Sequence, residues 1–193
     1  MSPLTELIGG AKAYGWGSLS DAGDFESIAT VSVGSGGAAT VEFTSIPATY
    51  AHLQVRIMAR TTQTGDSDFI VARFNSDSGS NYNEHALYGT GSSAGAMYNT
   101  GTGCFWQRIA TDQQSANTFG VLVVDILDYA NTNKYTTTRH LGAFDNNGSG
   151  QIYLESNLWR NTAAITSITM LSSAGGKVFK EYSHFALYGI KGA

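Results

Sequence analysis

The chain has 193 residues, of which 42% are hydrophobic and only 13% charged. It can therefore build the core of one domain, but it must cover its surface largely with neutral polar side chains and glycine. The net charge is −4 and the eleven Lys and Arg are scattered singly, which argues against a surface that tracks phosphates. The single cysteine, Cys104, excludes an intrachain disulfide and a cysteine-cluster metal site, and reads as a buried thiol.

Residues 1–24 differ in texture from the rest. Leu4, Leu7 and Ile8 are followed by Gly9-Gly10, and then Tyr14 and Trp16 alternate with Gly15 and Gly17. Glycine makes such a segment costly to order, and the aromatics make it costly to leave in water. It reads as an arm that orders by docking on a partner through Leu4, Leu7, Ile8, Tyr14 and Trp16. It lacks a basic start and a long apolar stretch, so it does not read as a signal peptide. No stretch approaches the length of a membrane span, and synthesis in a cytoplasm without membrane insertion is expected.

From residue 25 to 193 the pattern is one strand after another. Ala29, Val31 and Val33 alternate, and Val41 and Phe43 follow after Gly34-Ser35-Gly36-Gly37, which predicts an opening hairpin. His52–Arg60 is the clearest strand: Leu53, Val55, Ile57 and Ala59 share one face, and His52, Gln54, Arg56, Met58 and Arg60 share the other. Further strands are predicted over 68–74, 83–88, 105–110, 118–127, 135–144, 151–158, 164–171 and 183–190. Residues 118–127 are apolar on both faces, which predicts a central strand covered on both sides. Gly89–Gly103 reads as a long loop carrying Met97 and Tyr98. Ala86-Leu87-Tyr88-Gly89 recurs as Ala186-Leu187-Tyr188-Gly189, which reads as two strands that end alike. About ten short strands separated by turn signals predict a single all-β domain, an antiparallel β-sandwich of jelly-roll type, with a closed barrel as the alternative.

Signals for catalysis are weak. His52, His85, His140 and His184 have no second ligand at zinc spacing. No serine sits in a Gly-x-Ser-x-Gly elbow. Asp145–Ile152 matches the start of a calcium loop, but position twelve is Ser156 rather than Glu, and a hairpin turn explains the same residues. Asn75–Asn81 reads the same way. A depolymerase needs paired acids, and no pairing is readable among Asp66, Asp68, Asp77, Glu84, Asp112, Asp125, Asp145 and Glu155. Neither a cofactor nor a metal is expected. Met97, Tyr98, Trp106 and Trp159 read as loop-borne contacts for a neighbouring subunit or a sugar, with core packing as the alternative for most of the aromatics.

Four stretches carry a family resemblance: 25–31 (FESIATV), 41–50 (VEFTSIPATY), 125–134 (DILDYANTNK) and 185–192 (FALYGIKG). In these the chain resembles a family of virion structural proteins of tailed bacteriophages. The resemblance implies a virion location and a structural role, with no active-site residues to carry over. Together with the arm it leads to an expected capsid decoration, or cement, protein. Such a protein would form a homotrimer and dock on the major capsid protein or other virion subunits. The alternative is a tail or fibre-associated module that binds a host glycan.

Overall fold

A computed structural model describes residues 24–192. Leu4, Leu7, Ile8, Tyr14 and Trp16 of the expected arm lie outside the described residues.

The described chain is all-β. Its twelve strands are β1 (Phe25–Ser32), β2 (Thr40–Phe43), β3 (His52–Ala59), β4 (Asp68–Phe74), β5 (Tyr82–Gly89), β6 (Ala94–Gly101), β7 (Cys104–Ile109), β8 (Gly120–Leu127), β9 (Thr136–Asp145), β10 (Gly150–Trp159), β11 (Ile168–Ser172) and β12 (His184–Ile190). They form an eight-stranded sheet in the order β1-β12-β3-β8-β9-β10-β5-β6 and a four-stranded sheet in the order β2-β11-β4-β7. Neighbouring strands pair antiparallel throughout. The two sheets pack as a β-sandwich with jelly-roll-like exchange of the chain between them.

Three expectations are corrected. β1 and β2 are not a hairpin: they lie in different sheets, and the turn between them uses Gly36 and Gly37 at positive φ to carry the chain across. The segment 89–103 is not a loop, because it holds β6, paired with β5 along its full length. Its small residues have weak strand propensity, and the hairpin partner supplies the order that its own sequence lacks. β8 is central, as expected, but among the described residues only one of its faces is covered. Leu122, Val124 and Ile126 are buried, whereas Val121, Val123 and Leu127 are exposed.

The core lies between the sheets. At one end Phe74 packs edge-on to Trp159 at 5.5 Å and lies 6.5 Å from Trp106. At the other, Phe179 meets Phe185 at 4.9 Å. Strand β7 of the small sheet approaches the large sheet so closely that a Cβ on Gly142 would lie 2.0 Å from the Gln107 carbonyl oxygen. Only glycine allows the two backbones to approach this far. Arg60, expected on a polar face, is buried. Its guanidinium donates to the carbonyls of Gln114, Ser115 and Thr118 at 2.7–3.0 Å and so fixes the 111–118 connection.

Candidate functional site

Among the described residues, the large sheet turns one face to the core and leaves the other open. Alternation along β3, β8, β9, β10 and β5 sends every second side chain outward. The register then lines these side chains up across strands. In one row Val123 faces Leu141, Leu141 faces Leu154, and Leu154 faces Leu87. In the next, Met58 faces Val121, Val121 faces Ala143, and Ala143 faces Ile152. Val121, Leu141, Ile152 and Leu154 are each about half exposed, and Leu87 more so.

A polar row borders this stripe: Gln54, Asp125, Arg139, Ser156, His85 and Tyr98. Its charges compensate each other locally. Arg139 donates to Asp125 at 2.8 Å, and Gln54 donates to the same carboxylate at 2.9 Å. Partial burial pushes the Asp125 carboxyl up, but these two donors hold it below the ordinary range. Two depressions open on the face. A groove of about 670 Å³ lies at the β9–β10 turn, beside Phe119, Val121, Ile152 and Gln151. A smaller one of about 400 Å³ lies between Leu87, Leu154, His85 and Arg139.

The residues expected to make contacts separate into two groups. Tyr98 lies on this face, on strand β6 rather than a loop, 74% exposed and stacked on His85 at 6.0 Å. Met97 alternates to the other side, where its Sδ lies 4.0 Å from Gln107 Nε2. Trp106 and Trp159 sit in β7 and β10 with 0% exposure. This corrects their reading as loop contacts: both point between the sheets, where burying an indole contributes most to stability.

The two oxygen-rich loops are satisfied internally. Asp145 Oδ1 accepts the Asn147 amide at 2.8 Å, and Asn146 Oδ1 accepts the Ser115 amide at 2.8 Å. Asp77 accepts Trp159 Nε1 at 2.8 Å, as well as Asn81 and the Gly79 amide. Burial pushes the Asp77 carboxyl up, and these donors bring it below the ordinary range. Among the described residues no group of three or more His, Cys, Asp or Glu could hold a metal ion. No described helix is long and apolar enough to cross a membrane.

One cluster was not legible as a unit in the sequence. Glu84 of β5 and Glu155 of β10 both point into the sandwich, with His140 of β9 and Gln107 of β7. Asn157 Nδ2 donates to Glu155 Oε1 at 2.6 Å, Gln107 Nε2 reaches Glu84 Oε1 at 3.4 Å, and His140 Nε2 lies 3.4 Å from Glu155 Oε2. Burial pushes Glu84 up to about 7. Burial, reinforced by the neighbouring Glu84 charge, pushes Glu155 up to about 9. Burial pushes His140 down to about 4. His140 Nε2 also lies 3.0 Å from the Gln107 amide nitrogen and 3.2 Å from its carbonyl oxygen. His140 and Glu155 therefore meet at neutral pH as a neutral base and a protonated acid, not as an ion pair. Both acids are almost wholly buried. A signal was present: Glu84 shares its strand face with Tyr82, and Glu155 shares its face with Tyr153 and Trp159.

No family model and no curated protein matches the chain. Among solved structures, the galectin LEC-6 of Caenorhabditis elegans is similar, with 11% identity and a TM-score of 0.32 over 84% of this chain and 96% of that chain.

Proposed function

We propose that the chain is a structural subunit of a tailed-bacteriophage virion, a capsid decoration protein that lies on the major capsid shell and stabilises the head. The open apolar face of β3, β8, β9, β10 and β5 carries this reading. Five strands at about 4.8 Å spacing, with two apolar rows, offer an apolar patch on the order of a few hundred Å². A patch of this kind, bordered by self-compensating charges, suits docking on a large protein surface. The arm residues Leu4, Leu7, Ile8, Tyr14 and Trp16 supply the second contact, and the family resemblance supplies the virion setting. The test is to label the chain in intact virions and locate it by electron microscopy. Label on the head supports the reading, and label confined to the tail contradicts it.

A second reading has its own observation. The groove of about 670 Å³ at the β9–β10 turn combines Gln151, Ser149 and Thr118 with Phe119 and Ile152, a mixture of polar and apolar groups suited to a sugar ring. It favours a tail-associated, glycan-binding module. Glycan-array binding that is lost in Gln151→Ala would support that reading, and absence of any glycan or host-cell binding would count against it.

A further inference from the structure

Among the described residues the sandwich has four sheet edges, β1 and β6 in the large sheet and β2 and β7 in the small one. An edge strand exposes a row of backbone donors and acceptors, and folded proteins normally blunt it with charge, a bulge, shortness or cover. Three of these edges are blunted. β1 has a register break between Ser27 and Ala29 and carries Glu26, which binds Lys191. β2 is only four residues long and carries Glu42. β7 carries Arg108, has a register shift against β4, and lies against the large sheet at Gly142.

β6 has none of these devices. Its eight residues, Ala94–Gly101, include no charged side chain and no proline. Its register with β5 runs unbroken from Tyr82↔Gly101 to Gly89↔Ala94. Most of the strand is exposed, and among the described residues it has a strand neighbour on one side only.

We infer that β6 is the seam of a two-fold homodimer, in which β6 of one copy pairs antiparallel with β6 of a second and joins their large sheets into one. A two-fold axis perpendicular to the sheet brings the same strand face of both copies together, so the seam must be self-complementary. β6 meets that requirement because it holds no charge to oppose its own copy. With the axis at Tyr98, Met97 faces Asn99 of the second copy and Ala96 faces Thr100. The apolar row Val123–Leu141–Leu154–Leu87 continues through Ala96 to the seam, so pairing doubles the width of the open face. A homotrimer built through β6 would need that strand to meet a different edge, and the other three described edges are blunted.

This inference rests on the sheet edges and not on the capsid reading; a dimer that binds no capsid leaves it standing. The experiment is sedimentation equilibrium of the full chain at micromolar concentration, with hydrogen exchange read at β6. A dimer with slowed exchange at β6 is expected. Tyr98→Lys/Thr100→Lys, which lines lysines along the seam of both copies, is expected to shift the dimer to monomer by at least tenfold in dissociation constant, with an unchanged far-UV spectrum. As a readout independent of that variant, Tyr98→Cys is expected to cross-link between copies, because the native Cys104 is buried. A wild-type monomer, a trimer, or a dimer whose β6 exchanges rapidly would overturn the inference. A monomer whose β6 is protected by its own residues 1–23 would overturn it too.

Discussion

Leu141 and Leu154 are direct cross-strand partners on β9 and β10, and each leaves about half of its surface, 51% and 52%, in water. A leucine pair in the middle of an eight-stranded sheet is normally covered. Their neighbours Val123 and Leu87 extend the same uncovered row, so the pair marks a surface rather than a stray exposed side chain.

The pair can be changed without cost to the fold. In Leu141→Lys/Leu154→Glu the opposite charges lie directly across the ladder, which offsets the lost strand propensity by about 0.2–1 kcal/mol. Urea unfolding should therefore show a stability within about 1 kcal/mol of wild type. A larger loss would mean that these leucines serve the fold itself.

Stability should fall with rising pH across the neutral range. Glu84 and Glu155 are raised in the folded state to about 7 and about 9. The stability they contribute is complete below the unfolded carboxyl value and is lost as pH rises through those two values. His140 is lowered to about 4, so its contribution is present above the unfolded imidazole value and is lost as pH falls. Between about pH 6.5 and 9 the carboxyls act alone. Thermal melts should show Tm falling over that window, and Glu155→Gln, which removes the carboxyl raised to about 9, should flatten the fall. A Tm that is level or rising there would refute the neutral-cluster assignment.

The close approach of β7 to β9 is testable at one methyl group. Gly142→Ala places a Cβ against backbone, 2.0 Å from the Gln107 oxygen. It should cost about 3 kcal/mol or more, since neither strand can move without disturbing the sheet. Gly175→Ala meets nothing within 4 Å and should be close to neutral in the same denaturation assay.

Trp159 and Tyr98 should behave in opposite ways. Trp159→Ala removes a fully buried indole and the donor to Asp77, at a cost of about 3–5 kcal/mol. Tyr98→Ala removes a mostly exposed ring, and at concentrations where the chain is monomeric it should change stability by about 0.5 kcal/mol or less. Calorimetric melts of the two variants distinguish a core residue from a surface one.

Much of the strand order was legible because a period of two with one buried face leaves a plain signal, as in His52–Ala59. β6 was not, since Gly95, Gly101 and three alanine or threonine positions carry no propensity strong enough to separate a strand from a loop. Partition between sheets was also hidden, because alternation says which residues share a face but not which sheet a strand joins. The repeated Ala-Leu-Tyr-Gly shows the limit clearly. Leu87 points to water on β5, while Leu187 is fully buried on β12, so identical tetrapeptides face opposite ways according to register. β8 was legible in a different sense. Its two apolar faces predicted cover on both sides, and the described residues supply it on one.

The most direct test of the docking claim is co-sedimentation of the full chain with capsid shells that lack their decoration protein. Wild type is predicted to pellet with the shells. Leu141→Lys/Leu154→Glu, folded as judged by its unfolding curve, should lose about tenfold or more in affinity as two half-buried leucine contacts disappear. Equal binding by the two proteins would contradict the assignment of this face as the contact surface.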